Sequence, residues 1–179
     1  MDKKTKLHLL HKKAEKELKR KLVFSDGNPD SGIVFVGEAP GRHEEEQGKP
    51  FVGAAGKLLN NALEKNKIER KDIYITNIVL WRPPGNRKPT KKEVASCRHY
   101  LIEQIRIIRP RIICTLGNTP LNFFVKGENI TASRGKPIKI TLEGLNLLIL
   151  PTFHPAAILY NRKLQKLFEK DIEKLKKYV

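Results

Sequence analysis

The chain has 179 residues and a formal net charge of +17, from 36 Lys and Arg against 19 Asp and Glu. We expect one domain over residues 1–179, with a basic helix at 1–22 packed on it, because this length can bury a real hydrophobic core. The positive charge favours a polyanionic partner over a small metabolite, since each cation that neutralises a phosphate releases a counterion. A lysine-rich surface that reflects genome composition or heat adaptation is the alternative.

Cysteine usage and hydropathy argue against secretion and membrane insertion. Cys97 and Cys114 are the only cysteines and neither lies in a C-x-x-C pair, so a reducing cytoplasm is the simplest location. Residues 1–22 are charged throughout and lack the apolar core of a signal peptide. The longest apolar stretch, 145–150, is far too short to span a bilayer. We therefore expect a cytoplasmic protein without a membrane partner.

The first half of the chain predicts a helix, a strand, a second helix and a second strand. Apolar residues at helical spacing within 3–21 indicate a basic amphipathic helix, which either packs on the domain or contacts phosphates. The wholly apolar run 33–36 is typical of a buried parallel strand, 54–67 carries an apolar helical face, and 73–76 is the next strand. The apolar positions of the first helix are Leu7, Leu10, Ala14 and Leu18.

The second half continues the alternation. Thr90 with Glu93 three residues later is a capping-box pattern, which begins a helix that ends before Pro110. An irregular basic stretch separates the short helix near 121–124 from the fourth strand. The predicted elements are a helix over 91–109, strands over 112–116 and 145–150, a short helix over 121–124 and a basic helix over 163–178.

Strands that alternate with helices predict a three-layer α/β/α sandwich with a four-stranded, mostly parallel central sheet. In such sheets ligands bind beyond the carboxyl ends of the strands. Glu38, Asn77 and His154 each follow a predicted strand directly or within a few residues. The fold should therefore gather these three side chains at one edge of the sheet, and this is where we expect a site.

A long loop punctuated by glycines follows the first strand, at residues 37–41 and 48–53. Glycines let backbone N–H groups approach a ligand closely, so the loop is either a cradle for an anion or flat ligand or an ordinary strand-to-helix connection. The spacings of a Walker loop and of a dinucleotide-binding fingerprint are absent.

This loop and later segments resemble a known family. Residues 37–41 (GEAPG) and 48–56 (GKPFVGAAG) are similar to the first motif of family 4 uracil-DNA glycosylases. The segments YITNIV at 74–79, RPPGNR at 82–87 and HPA at 154–156 follow in the family's order. Several long motifs in the correct order make coincidence a poor explanation.

The resemblance covers the chain from about Gly27 onward and implies the uracil-DNA glycosylase fold and a monofunctional DNA repair enzyme. Such an enzyme flips uracil out of DNA, hydrolyses its N-glycosidic bond and leaves an abasic site. Uracil-containing DNA is the implied partner, and we expect a monomer. The alternative is a catalytically silent DNA- or nucleotide-binding module on the same fold.

The resemblance also implies roles for individual residues. Phe51 resembles the aromatic side chain that stacks on the flipped uracil, although a core Phe is the plainer interpretation. Asn77 resembles the residue that reads the uracil edge with one donor and one acceptor, although it could simply cap a strand. His154 resembles the histidine that hydrogen-bonds uracil O2 and stabilises negative charge. Glu38 resembles the residue that positions the attacking water, through its side chain or its backbone.

Three further residues complete the implied substrate site. Glu44 resembles the residue that crowds out the thymine methyl group. Gly37 and Ala39, on either side of Glu38 in the glycine-rich loop, are expected to contact the substrate.

DNA contacts are expected from three segments: the Pro-rich loop 82–89, the basic turn 133–137, and 156–163, which resembles the wedge that enters the duplex. For any single cation the alternative is a solvated surface charge. The predicted DNA-binding residues are Arg82, Arg87, Lys88, Arg134, Lys136, Ala157 and Arg162.

Most family 4 enzymes hold a 4Fe–4S cluster with four cysteines, and this chain departs from that pattern. Only Cys97 matches a ligand position, the N-terminal pair is missing, and Trp81 stands at the third position. Because such a cluster needs four thiolates or close substitutes, we predict that no cluster, other metal or cofactor is present. Trp81 and neighbouring apolar side chains would then fill the space.

Overall fold

Six strands form one mixed sheet in the computed structural model, which describes all residues 1–179. The strands are β1 (Asp26–Gly27), β2 (Ile33–Gly37), β3 (Ile73–Asn77), β4 (Ile112–Leu116), β5 (Ile138–Leu142) and β6 (Leu145–Thr152). The sheet order is β1-β3-β2-β4-β6-β5. Strands β2, β3, β4 and β6 run parallel inside the sheet, whereas β1 and β5 pair antiparallel at its two edges.

Helices cover both faces of this sheet. The helices are α1 (Lys3–Leu18), α2 (Arg42–Gln47), α3 (Ala54–Lys65), α4 (Lys91–Ile108), α5 (Asn118–Phe124), α6 (Ile130–Ser133), α7 (Pro155–Tyr160) and α8 (Gln165–Glu173). Successive residues of β2 alternate between the two faces of the sheet, as a pleated strand requires. Val34 and Val36 pack with α1 and α4 on one side, and Ile33 and Phe35 pack with α3 and α8 on the other.

The predicted three-layer α/β/α sandwich is confirmed, and the four predicted strands form its parallel centre. The expected number of four strands is too small, because β1 and β5 extend the sheet to six. β1 contributes only two residues, too few to leave a pattern. In β5 the half-buried positions alternate with the exposed Lys139 and Thr141, a period-two pattern that a search for continuous apolar runs does not detect.

The remaining differences concern short helices and helix ends. α2 has no buried residue and α6 is only four residues long, so neither shows an apolar face in the sequence. α1 ends at Leu18, where Lys19 takes the left-handed conformation that closes a helix. α1 packs against α4. No helix combines the length and apolar character that crossing a membrane requires.

Candidate active site

A cavity of about 540 Å³ opens at the edge where the parallel strands end. Its wall is built from the loops that follow β2, β3, β4 and β6, as the topology of a parallel sheet predicts. Gly37 lies behind this wall, in contact with the side chains that form it. The other predicted catalytic and substrate-binding residues all line the cavity: Glu38, Ala39, Glu44, Phe51, Asn77 and His154.

Asn77 is the last residue of β3, and only 1% of it is exposed. The register pairs it with Gly37 of β2, where a Cβ atom would collide with Asn77 Oδ1 and lie 2.7 Å from the ring of Phe51. A glycine is therefore required for the amide and the ring to approach this closely. Asn77 Oδ1 has no hydrogen-bond partner. Since a buried, unpaired oxygen is destabilising, this atom is available to a ligand that brings a donor.

His154 follows β6 and caps the N-terminus of α7. Its Nδ1 accepts a hydrogen bond of 3.1 Å from the backbone N–H of Ala156, so the neutral ring carries its proton on Nε2. Burial lowers the pKa of His154 from 6.5 to about 4, against a smaller opposing effect of the Glu44 carboxylate. At neutral pH the pocket therefore contains an uncharged imidazole with an Nε2–H donor.

The aromatic wall of the cavity is Phe51, whose ring centroid lies 5.7 Å from that of His154. Glu44 is placed beside it, but its carboxylate is engaged: Oε1 accepts from the backbone N–H groups of Val52 at 3.0 Å and Gly53 at 2.9 Å. Glu44 thus lines the pocket and also fixes the segment that follows Phe51. This stabilisation of the loop by Glu44 was not predicted from the sequence.

The Glu38 side chain reaches across the cavity to α5, where the Thr119 hydroxyl donates a hydrogen bond to Glu38 Oε2. No other protein group bonds to this carboxylate, which leaves Oε1 free to accept from a ligand or water. Thr119 is one of the residues that sequence reasoning missed. It lies at the start of the helix after β4, so the same strand-end argument that identified Asn77 could have found it.

Five of the six predicted DNA-binding cations fall into two groups. Arg82 pairs with Glu45 at 3.3 Å, Arg87 pairs with Glu93 at 2.8 Å, and Arg134 binds Asp171, whose side chain is fully buried. Lys88 and Arg162 are exposed and form no ion pair within the chain. Both groups are basic in sequence, but only the second presents unpaired charge.

The other two predicted DNA contacts lie apart from these pairs. Lys136 is exposed and donates to the carbonyl of Ala132 at 3.0 Å, and Ala157 is half-buried in α7. The sequence analysis did not single out Tyr160, the last residue of α7, which lines the mouth of the cavity with 92% of its surface exposed.

Similarity to known proteins extends over most of the chain, well beyond the pocket. A family model described as the uracil DNA glycosylase superfamily matches residues 24–176. The chain belongs to this superfamily. It is 48% identical over 162 residues to a type-4 uracil-DNA glycosylase of Thermotoga maritima, covering 88% of this chain and 83% of the relative. It is also 43% identical over 166 residues to a type-4 uracil-DNA glycosylase of Saccharolobus solfataricus, covering 89% and 77%.

These relatives overturn the prediction that this superfamily member has no iron–sulfur cofactor. Type-4 uracil-DNA glycosylases are known to bind a 4Fe–4S cluster, so the expected absence is contradicted. The side chains of this chain nevertheless do not form a four-ligand site. Cys97 and Cys114 are both buried, no cluster of three or more His, Cys, Asp or Glu side chains is suited to a metal, and burial raises the pKa of Cys97 to about 11.

Proposed function

We propose that this chain is a DNA repair enzyme that flips uracil out of DNA and hydrolyses its N-glycosidic bond, leaving an abasic site. The observation that carries the proposal is the buried, unpaired Oδ1 of Asn77, which lies in one cavity with the neutral His154 and the Phe51 ring. The chain that forms this cavity is 48% identical to a type-4 uracil-DNA glycosylase. These groups match a flat ring that has one N–H between two carbonyl oxygens.

The recognition chemistry follows from the donors and acceptors. Asn77 Oδ1 accepts from uracil N3–H and its Nδ2 donates to O4, so the base supplies the partner that Oδ1 lacks. Cytosine has no N3–H and carries a donor in place of O4, which leaves the buried amide mismatched. The Phe51 ring stacks on the extruded base and compensates part of the stacking lost when the base leaves the duplex.

The bond-breaking step places negative charge on uracil, because the electron pair of the glycosidic bond moves to the base. The His154 Nε2–H donates to O2, where that charge accumulates, from a ring already held in the correct tautomer by Ala156. Because the His154 ring is already neutral and in the correct tautomer, it stabilises the departing base by this hydrogen bond without any prior change in its protonation state.

Water then attacks the sugar carbon that uracil leaves, and Glu38 holds this water. The bond from Thr119 fixes one carboxylate oxygen and leaves the other free, which favours the side chain of Glu38 over its backbone as the positioning group. A carboxylate beside the sugar also stabilises an oxocarbenium-like transition state, by the electrostatic argument that applies to glycosidases.

DNA would be held by Arg87 and Lys88, which line the cavity, and by Arg82 and Arg162, in segments that flank it. Lys88 and Arg162 offer unpaired charge for phosphates, whereas Arg82 and Arg87 would exchange carboxylate partners for phosphates. Ala157 and the exposed Tyr160 belong to the segment that would enter the space left by the base. We further propose a single-domain monomer in a reducing cytoplasm, where the two buried thiols would stay reduced.

A labelled oligonucleotide with one uracil, treated with the protein and then with hot alkali, tests the proposal. We expect strand scission at uracil and none in a matched oligonucleotide with thymine at that position. DNA binding without scission at uracil would contradict the proposal and leave the silent binding module as the correct alternative.

A further inference from the structure

The backbone of Phe51 is in an unfavourable conformation. Its φ of 53° lies in the left-handed region, which bulky residues other than glycine rarely adopt. Residues held there are strained and persist only where surrounding contacts impose the conformation. At Phe51 this conformation directs the ring into the cavity, against Gly37 and facing His154.

Arg70 supplies the contacts on the side of the loop away from the cavity. This side chain belongs to the turn before β3 and does not line the cavity. Its guanidinium donates to the carbonyl oxygen of Pro50 at 2.6 Å and to that of Phe51 at 3.1 Å. It is itself held by Asp26 at 3.1 Å and by Asn60 at 3.0 Å. The planar, five-donor fork of arginine makes this four-partner arrangement possible, and lysine cannot reproduce it.

Two other groups complete the restraint. The Glu44 carboxylate binds the two N–H groups that follow Phe51, whereas Arg70 binds the carbonyls at and before it. Gly56, in the first turn of α3, packs against the Phe51 carbonyl so closely that a Cβ atom would collide with it. The unfavourable conformation is therefore enclosed by charged groups on both sides and by a helix.

We propose that Arg70 is a positioning residue for uracil recognition, which acts from outside the cavity by holding the backbone of Phe51 in its ring-inward conformation. This inference rests on the proposed function, since it concerns the aromatic surface that receives the base. Without the guanidinium, the two carbonyls lose their partners, Phe51 relaxes toward ordinary φ values, and the ring leaves the position against Gly37.

The test compares Arg70→Lys and Arg70→Met with Arg98→Lys, a control at an arginine of α4 that pairs with Glu143 and does not line the cavity. Single-turnover excision of uracil and the affinity for free uracil are measured, at a temperature where every variant is folded. We expect Arg70→Lys to slow excision by about ten-fold or more and to weaken uracil binding, because misplacement of a positioning group is costly. Arg98→Lys should change both by less than about two-fold.

Combination with Phe51→Ala separates positioning from general stabilisation. Once the ring is removed, Arg70→Lys should cost no more than about two-fold further, because the two residues act as one unit. The same fold loss in both backgrounds, or full activity and uracil affinity in Arg70→Lys, would overturn the inference. Arg70→Lys decides the matter if Arg70→Met does not fold, since lysine keeps a charge beside Asp26.

The two possible failures are distinguishable. If the unchanged protein neither excises uracil nor binds it, the proposed function is wrong, and the inference on Arg70 is wrong with it. If the unchanged protein and Arg70→Lys excise and bind uracil equally well, only the inference on Arg70 is wrong.

Discussion

The residues of the strand-end cavity and the cations of the surrounding basic loops are positioned by different constraints. Glu38, Asn77 and His154 converge because the register of parallel strands leaves the chain no other arrangement. The basic loops carry no such constraint. Arg134 lies against the buried Asp171 and binds it, whereas Arg162 remains exposed.

The difference shows which features of a sequence predict the position of a side chain in the folded structure. A position relative to a buried strand is a geometric signal, since the sheet determines where the next residue lies. Positive charge is a property of composition. It does not show whether a basic side chain is free to bind DNA or pairs with a carboxylate that the fold places nearby. Substitutions at the strand-end residues and at the basic residues therefore test this difference directly.

Asn77→Ala should produce the largest effect, a loss of about 100-fold or more in excision rate. The substitution removes both groups that read the uracil edge but no cation, so affinity for undamaged DNA should stay unchanged. Rates are measured in single-turnover cleavage and affinity by fluorescence anisotropy, with Asn146→Ala, at an exposed position of β6, as control. Equal losses of excision and DNA binding would place Asn77 among structural residues.

Arg134→Ala should lower the free energy of unfolding by about 3 kcal/mol, because it leaves the buried Asp171 carboxylate without its charged partner. Urea denaturation measures this change, and the exposed neighbour Lys136 provides the control, with less than about 0.5 kcal/mol expected for Lys136→Ala. Full stability with weakened DNA binding would instead support Arg134 as a direct DNA contact.

His154 should make stability depend on pH on the acid side. Its pKa is about 4 in the folded chain against 6.5 for an exposed histidine, so the unfolded chain takes up the proton first. Stability is therefore complete above pH 6.5 and falls as pH drops toward about 4, by up to about 3 kcal/mol. NMR titration of the ring gives the pKa, and His154→Asn should lessen the dependence. A titration midpoint near 6.5 would refute the neutral-donor argument.

Thr119→Val should slow excision by about ten-fold, because it removes a hydrogen bond to a charged carboxylate while keeping the side-chain shape. Thr119→Ser restores the hydroxyl and should recover most of the rate. If the valine variant is as active as the unchanged protein, Glu38 positions water through its backbone.

Arg162→Ala should have the smallest effect, a reduction of about 0.9 in the slope of log affinity against log salt. Arg111, exposed at the opposite end of the sheet, is the matched control and should leave the slope unchanged. Equal reductions for both arginines would mean that DNA binding is not focused on the cavity edge.

The sequence predicts the parallel centre of the fold because its strands are continuous apolar runs, as in Ile33–Gly37. A search for continuous apolar runs overlooks β5, in which Ile138, Ile140 and Leu142 alternate with exposed residues, and β1, which is two residues long. It finds Asn77 from its place after a strand, with the role supplied by family resemblance. Arg70 escapes sequence reasoning, because its bonds to Pro50 and Phe51 cross about twenty residues of chain and involve only backbone oxygens of the partner loop.

The two antiparallel edge strands have a consequence for local opening of the molecule. Each strand that ends at the cavity has a hydrogen-bonded neighbour on both sides, because β1 and β5 occupy the exposed margins. Amide hydrogens at these margins should exchange with solvent first and those of β2, β3 and β4 last. The cavity would then belong to the slowest-exchanging unit of the fold, and fraying of the sheet would leave the placement of Asn77 against Gly37 intact.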